Sequence, residues 1–346
     1  MNWEANMKET NVLAGDIGGT KTNLAVFNPQ QGLEAPLAEA TYPSRDYPSL
    51  EALLRDFLSG FKGEIQQASF GVAGPVAGGQ ATITNLPWVM DEEELAHGLG
   101  FGSVHLLNDL LAFAHAVPFL EGKDVYMLNK GRPAAEGAKA VVAPGTGLGE
   151  AYLVWDGRGY QAYPSEGGHA DFAPRNRLEA GLLQHLWERF GHVSYERVCS
   201  GTGLGTIYTY IKESGAAQEK SWLADELARA DDPAPVIVRG ALDDTNPCGI
   251  CRKTLHVFIS ILGAEAGNMA LRLLATGGVY LGGGIPPRII PALGQGSFMQ
   301  AFHSKGRMSG ILEDIPVCVI VNPKVALLGA ACHGLSSQKF QRGEER

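Results

Sequence analysis

The chain has 346 residues, of which 45% are apolar and 19% are charged, and its formal net charge at pH 7 is −9. This length favours two domains, and the acidic balance argues against a dedicated binder of nucleic acid or of anionic membranes. We find no run close to the ~20 apolar residues that span a bilayer and no signal-peptide pattern in the polar first residues, so we expect a cytoplasmic protein.

The first third of the chain predicts alternating strands and helices, which is the order of a mixed α/β fold. Strands at residues 12–17 and 22–27 flank Gly18-Gly19-Thr20-Lys21 and predict a hairpin. The predicted elements that follow are a helix at 49–61, a buried strand at 67–73, a hairpin with its return strand at 80–84, a strand at 104–107 and a helix at 110–117.

A second hairpin pattern begins at residue 138, and it predicts a second lobe built on a similar plan. Its strands lie at 138–143 and 150–155. The remaining predicted elements are helices at 177–190, 205–212, 221–230 and 252–274, a buried strand at 278–281 that ends at Gly282-Gly283-Gly284, a strand at 315–321 and a helix at 325–334.

The pentapeptide GTGLG occurs twice, at Gly145–Gly149 and Gly201–Gly205. The first copy lies between two predicted strands, as Gly18–Thr20 does, and this context favours a phosphate loop. The second copy follows a helix-like segment and precedes a predicted helix, so we expect a turn between helices. Backbone N–H groups at that helix start leave a nucleotide contact as the alternative.

Two motifs with chemical potential have ordinary structural explanations when they are taken alone. AGDIGGTKT at residues 14–22 is not a Walker A loop, because it joins two strands and has Thr20 where a glycine should precede the lysine. Periodicity alone favours a tight surface turn there. Asp109 follows a strand and precedes a helix, where position alone favours a helix N-cap, and Glu196 in SYERV resembles a solvated helix residue.

The order of these motifs resembles the bacterial-type ATP-dependent glucokinase family, within the hexokinase–actin superfamily of sugar kinases. The stretches that carry the resemblance are GDIGGT (15–20), DYPSLEAL (46–53), TNLPW (84–88), LNDLLAFAHAVP (107–118), GTGLG (145–149), EGGHADFAP (166–174), GHVSYERVCSG (191–201), GGVYLGGGIPPR (277–288) and DIPV (314–317). They run in family order from about residue 11 to 335. Each motif is weak alone, but the ordered set is specific.

The resemblance implies a two-lobed actin-like, ribonuclease-H-like α/β fold, with mixed sheets flanked by helices and an active-site cleft between the lobes. We predict a small lobe at residues 1–118, to which a C-terminal helix at about 325–346 returns, and a large lobe at 119–324. The implied reaction transfers the γ-phosphoryl group of ATP to the 6-hydroxyl of glucose, with Mg²⁺. A homodimer is the expectation for the family.

The resemblance also implies roles for particular residues. Asp109 is the expected general base, and the expected sugar ligands are Asn85, Asn108, Asp109, Glu166, His169 and Glu196. The expected nucleotide-binding residues are Asp16, Gly18, Gly19, Thr20, Gly145, Thr146, Gly147, Gly282, Gly283 and Gly284. We expect no direct protein ligand to the metal, because Mg²⁺ keeps most of its water shell and Asp16 reaches it through water. Lys21 stays outside the catalytic set.

Several alternatives remain open from the sequence. A related kinase family has repressor members and a cysteine-rich zinc motif, but no cysteine follows His169 until Cys199 and no helix-turn-helix extension precedes Val12. Another hexose (fructose, mannose or N-acetylglucosamine) is an alternative substrate, and a sugar-sensing regulator without activity is an alternative class. Cys248 and Cys251 form one isolated CxxC, which we interpret as two small residues at a helix start rather than a metal site.

Overall fold

The computed structural model describes residues 11–83 and 86–343, with side chains described through residue 336. The described chain divides into two compact units. One contains the described residues up to Leu120 together with those from Asn322 onward, and the other spans Glu121–Val321. Each unit has its own main β-sheet and its own apolar core.

The first unit has a five-stranded sheet of order β3-β2-β1-β4-β8 and a small antiparallel sheet of order β5-β6-β7. Its elements in this part of the chain are β1 (Asn11–Ile17), β2 (Lys21–Phe27), β3 (Ala38–Pro43), α1 (Leu50–Ser59), β4 (Ile65–Val72), β5 (Val76–Ala77), β6 (Gln80–Thr82), β7 (Val89–Asp91), α2 (Glu92–Leu99), β8 (Ser103–Asn108) and α3 (Asp109–Ala116). The predicted first hairpin is confirmed, since β1 and β2 pair antiparallel.

Strands β1, β4 and β8 are parallel neighbours, so their carboxyl ends lie at the same edge of the sheet. Strands β1 and β4 are buried along nearly their whole length, as expected for inner strands of a parallel sheet. Side-chain caps fix where the helices of this part of the chain begin: Ser49 caps α1, Asp91 caps α2 and Asn108, at the end of β8, caps α3. The edge therefore presents the ends of three strands and the start of α3.

The second unit has a six-stranded sheet of order β12-β11-β10-β13-β14-β9. Its elements are β9 (Val125–Asn129), β10 (Lys139–Pro144), β11 (Leu148–Trp155), β12 (Tyr160–Ser165), α4 (Arg177–Phe190), α5 (Gly201–Glu213), α6 (Ser221–Arg229), α7 (Pro233–Leu242), α8 (Gly249–Leu273), β13 (Gly278–Leu281), α9 (Ile290–Leu293), α10 (Ser297–His303), α11 (Ser309–Glu313) and β14 (Val317–Ile320). Strands β10 and β11 form the second predicted hairpin.

Helix α8 is the central helix of the second unit. By length and composition alone it passes as a membrane span, but 78% of its most apolar window is buried inside the protein. Its own residues, such as Leu255, Phe258 and Leu262, pack into the core of this unit. A helix that is apolar on all sides belongs in a core, and α8 fits that role.

The final helix, α12 (Val325–Gly343), belongs to the first unit rather than to the unit that precedes it in the chain. Leu327, Ala330 and Ala331 pack against Ala14 and its neighbours on β1 and β2. Nδ1 of His333 lies 3.2 Å from Ser69 Oγ on β4. The end of the chain thus covers one face of the first sheet.

One secondary-structure prediction is wrong at a functionally relevant place. The second GTGLG was expected to form a turn before a helix at 205–212, but Gly201–Gly205 is the first part of α5. Ser200 caps this helix, because its side chain accepts a hydrogen bond from the N–H of Gly203. A good N-cap offsets the poor helix propensity of glycine.

Candidate active site

The chemistry-bearing residues of the first unit meet where the parallel strands end. Asp16 is next to last in β1 and pairs with Gly71, while Asn108 ends β8 and pairs with Val72. Asp109 begins α3 directly after Asn108. The carboxyl ends of parallel strands are the usual place for ligands in α/β sheets.

Asp109 is not the N-cap of α3, contrary to what its position alone favours. The cap is Asn108, whose Oδ1 accepts a hydrogen bond from the N–H of Leu110 at 3.0 Å and whose Nδ2 donates to Gly74 O at 3.3 Å. Asp109 is exposed as a residue. The surrounding protein nevertheless desolvates its carboxylate and raises its pKa; the N–H of Leu110, which donates to Asp109 Oδ1 at 2.8 Å, opposes this rise, and the negative charge of Asp16 adds to it. A carboxylate with a raised pKa is a better proton acceptor.

Polar contacts hold the first glycine turn, Gly18–Thr20, in place. Ser44 donates from Oγ to Gly18 O at 2.7 Å and from its N–H to Thr20 O at 3.0 Å. Asn23 Nδ2 donates to Asp16 Oδ2 at 3.0 Å, and burial raises the pKa of Asp16. Gly19 is half-buried and Thr20 is exposed. The turn is therefore a fixed loop beside a desolvated carboxylate.

In the second unit, the two GTGLG copies contact each other. The loop Gly145–Gly147 closes the hairpin, with Gly145 N–H donating to Gly147 O at 2.8 Å. The first turn of α5 then attaches to this loop: Gly201 N–H donates to Gly145 O at 2.7 Å and Thr202 Oγ1 to Thr146 O at 3.2 Å. A cavity of about 570 Å³ opens beside α5, with Thr202, Thr206 and Thr209 in its wall.

The late glycine triplet lies at the same sheet edge as the Gly145–Gly147 loop. Strands β13 and β10 are parallel neighbours. Past the end of β13, Gly282 N–H donates to Val142 O at 2.9 Å, and Ile285 N–H donates to Pro144 O at 3.3 Å. Gly283 and Gly284 lie between these two attachments, so the structure brings all of the predicted nucleotide residues of this unit together.

The structure also gathers Glu166, His169 and Glu196 into one cluster. His169 Nε2 lies 3.9 Å from Glu166 Oε2, and its Nδ1 lies 3.9 Å from Glu196 Oε1. The carboxylate of Glu166 is almost fully exposed, as its side chain keeps 93% of its accessible surface. Together the three side chains present hydrogen-bond acceptors and a ring that can donate, which suits a polyhydroxylated ligand.

Glu196 connects this cluster to the glycine loop. Its Oε2 accepts a hydrogen bond from Leu148 N–H at 3.0 Å, and its own N–H donates to Gly168 O at 2.9 Å. The interpretation of Glu196 as a solvated helix residue is wrong, because it precedes α5 and is half-buried. We name Glu166, His169 and Glu196 the acidic–histidine cluster.

Some predictions fall elsewhere. Asn85 lies outside the described residues. Cys248 is the N-cap residue of α8 and Cys251 lies in its first turn, both buried, as the structural interpretation of the CxxC expects. The described residues contain no group of three or more His, Cys, Asp or Glu side chains arranged to hold a metal. Sequence reasoning missed Asn23, Ser44 and Thr202, and only Thr202 had a signal, the repeated GTGLG.

Comparisons with known proteins identify the family of the chain. The family model described as Glucokinase matches residues 13–337. A glucokinase of Nostoc punctiforme is 40% identical over 337 residues, covering 93% of this chain and 98% of that protein. The crystal structure of a glucokinase from an Antarctic psychrotroph superposes with a TM-score of 0.82 at 32% identity, covering 95% of this chain and 100% of that one.

A more distant structure shares the fold alone. It is a ROK-family glucokinase from Streptomyces griseus, solved with glucose and AMPPNP, with a TM-score of 0.60 at 18% identity over 94% of this chain and 99% of that one. The fold is that of the sugar kinases within the actin-like ATPase class. Within that class, the chain belongs to the glucokinase family.

Proposed function

We propose that this protein is an ATP-dependent glucokinase, which transfers the γ-phosphoryl group of ATP to the 6-hydroxyl of glucose. The observation that carries the proposal is the hydrogen bond from Leu148 N–H to Glu196 Oε2. It ties the glycine loop that suits a phosphate to the acidic–histidine cluster that suits a sugar. A kinase needs both kinds of site close together, because positioning supplies most of its catalysis.

We assign glucose binding to the acidic–histidine cluster together with Asn108, Asp109 and Asn85. Carboxylates accept hydrogen bonds from sugar hydroxyl groups, and an asparagine amide both donates and accepts. The 3.9 Å distances from His169 to its two carboxylates are too long for direct hydrogen bonds, so these groups keep hydrogen-bonding capacity for sugar hydroxyl groups. Support for Asn85 comes only from the family motif TNLPW.

We assign the role of general base to Asp109. In the reaction its carboxylate accepts the proton of the 6-hydroxyl as that oxygen attacks the γ-phosphorus. The bond between the γ-phosphorus and the bridging oxygen breaks, and ADP leaves with the electron pair. The raised pKa of Asp109 supports the assignment, and Asn108 holds the start of α3 and so fixes where this carboxylate lies.

We assign nucleotide binding to the glycine segments. The Gly145–Gly147 loop and the turn at Gly18–Thr20 suit phosphate groups, because backbone N–H groups approach anions closely there. The triplet Gly282–Gly284 suits the adenosine moiety. Thr202, which lines the cavity beside α5, also donates to Thr146 O of the loop.

The residues present fit Mg²⁺, which binds through one or two carboxylates, water and substrate phosphates rather than an all-protein cage. Asp16 is the carboxylate that would hold it through water, and when bound it would neutralise charge on the transferred phosphoryl group. From the family we also propose a homodimer, which light scattering on the purified protein tests. A cytoplasmic location remains part of the proposal.

The test is an assay of ADP release, coupled to pyruvate kinase and lactate dehydrogenase, over a panel of hexoses. We expect the highest kcat/KM with glucose and a strict requirement for a divalent cation. A higher kcat/KM with fructose, mannose or N-acetylglucosamine would reassign the substrate. Absence of sugar-stimulated ADP release with every hexose, together with sugar binding in calorimetry, would indicate a sensing protein and overturn the proposal.

A further inference from the structure

Glu150 is a fully buried carboxyl group that no role assigned so far explains. It lies in β11, opposite Val142 of β10 and Ser165 of β12, and none of its surface is accessible. Neither carboxyl oxygen accepts a hydrogen bond from a donor among the described residues, and the side chain that Glu150 approaches is another carboxyl group, that of Glu265. A buried carboxyl group without a donor costs stability, so it calls for an explanation.

The carboxyl group of Glu150 lies directly beneath the turn that carries Glu166 and His169. A β-carbon added at Gly167 would collide with Glu150 Oε2, and one added at Gly168 would collide with the carbonyl oxygen of Leu148. The turn therefore packs closely on β11 at two points: Gly167 lies against the Glu150 side chain, and Gly168 lies against the backbone of Leu148. Only glycine allows the turn to approach this closely.

On its other side Glu150 faces Glu265 of α8, which is also fully buried. Glu265 accepts hydrogen bonds from Arg272 Nη1 and Asn268 Nδ2, each at 2.8 Å. Burial first, and then the charge of Glu265, raise the pKa of Glu150 to about 8, while Arg272 opposes this. Glu150 is therefore a neutral carboxylic acid at pH 7.

Two further titratable groups lie around this pair. Cys199 is completely buried, and burial, with the charge of Glu265 adding to it, raises its pKa. Lys305 contacts Asn268 Oδ1 and donates to Ala264 O at 2.9 Å, and burial lowers its pKa to about 8. Lys305 thus titrates in the same range as Glu150, and an experiment has to separate the two.

We propose that Glu150 is a positioning residue for sugar binding: its buried, neutral carboxyl group supports the Glu166–His169 turn and so holds the acidic–histidine cluster in its binding geometry. The inference rests on the proposed glucokinase activity. Loss of the Glu150 proton would place a second buried anion beside Glu265, beneath a turn that already carries Glu166. Repulsion and entry of water beneath Gly167 would then displace the turn.

The experiment compares wild type, Glu150→Gln and Glu150→Ala by KM for glucose and kcat at saturating ATP between pH 6.5 and 9.5. Wild-type KM should rise roughly tenfold between pH 7 and pH 9, as a group with a pKa near 8 deprotonates, with a smaller change in kcat. Glu150→Gln should keep a wild-type KM at pH 7 and lose the alkaline rise, because an amide cannot ionise.

Glu150→Ala should raise KM about tenfold at pH 7, with kcat within about threefold, because the turn loses its support. Glu179→Gln is the matched control, since Glu179 is a buried carboxylate of α4 in the same unit, bonded to Arg175 N–H and Asn176 Nδ2. The KM of Glu179→Gln for glucose should equal that of the wild type at every pH. Calorimetric titration of glucose checks each KM against binding.

An alkaline rise in KM that persists in Glu150→Gln would assign it to Lys305 or another group and overturn the inference. So would an unchanged KM in Glu150→Ala. Wild-type protein without sugar-stimulated ADP release would instead overturn the proposed function, and the inference with it. The two failures are distinguished by the wild-type assay alone.

Discussion

Replacing Glu150 with glutamine should stabilise the protein at alkaline pH and have little such effect at pH 5. The reason is the difference in pKa between the folded and unfolded states. The ordinary pKa of a glutamate is 4.5, and burial beside Glu265 raises that of Glu150 to about 8. Between these values the unfolded chain releases a proton that the folded chain keeps, so the free energy of unfolding falls as pH rises.

The magnitude follows from the two pKa values. One pKa unit corresponds to about 1.4 kcal/mol, so the wild type should lose about 3.5 kcal/mol of this contribution between pH 5 and pH 8. Glu150→Gln cannot ionise and does not lose it. The difference in the free energy of unfolding, variant minus wild type, should therefore increase by about 3.5 kcal/mol over that range.

Urea unfolding at pH 5 and pH 8, followed by far-UV circular dichroism and by tryptophan fluorescence, measures this difference. Trp155, Trp187 and Trp222 lie in the same unit as Glu150. Glu179→Gln should behave oppositely and destabilise, because it weakens bonds that the carboxylate of Glu179 accepts. A pH-independent difference for Glu150→Gln would refute a neutral Glu150 in the folded protein.

Three further predictions concern other residues. Asp109→Asn or Asp109→Ala should lower turnover by about 10²–10⁴-fold or more, while glucose binding stays within about tenfold of wild type. Near-normal turnover in either variant would rule out Asp109 as the base. Gly147→Ala should raise the KM for glucose about tenfold in steady-state assays, because its β-carbon would lie 2.5 Å from Glu196 Oε2 and would displace that carboxylate. An unchanged KM would contradict that contact. Burial lowers the pKa of His115 to about 4 and that of His333 to about 3, so below pH 6.5 the unfolded state binds protons that the folded state does not. Stability should therefore fall by about 2 kcal/mol per histidine at pH 5, and urea unfolding of His115→Gln should show a smaller fall.

Local patterns predicted much of the fold. Helix 177–190 and strand 278–281 match α4 and β13 residue for residue, because an amphipathic repeat and a short apolar run between glycines are strong signals. Helix α7 was missed, since PAPVIVRGAL contains two prolines and three β-branched residues. Its first proline occupies the N1 position, where proline favours a helix start.

The start of α5 could not be predicted from its own residues, because glycines disfavour a helix. Tertiary packing requires them there: a β-carbon at Gly203 would lie 2.7 Å from the backbone carbon of Val198, and Gly201 binds the Gly145 loop. The same holds for the candidate site. Glu196 meets Leu148 and Glu150 meets Glu265 only after folding, across 48 and more than 100 residues of chain.

The chemical claim at the centre of this account is phosphoryl transfer to the 6-hydroxyl of glucose. ³¹P NMR of the purified protein with ATP, Mg²⁺ and glucose tests it most directly, with 6-deoxyglucose as the matched control. We predict glucose 6-phosphate and ADP in equal amounts, and no sugar phosphate from 6-deoxyglucose. Phosphate esterified at another position, or ADP with inorganic phosphate and no sugar phosphate, would contradict the account.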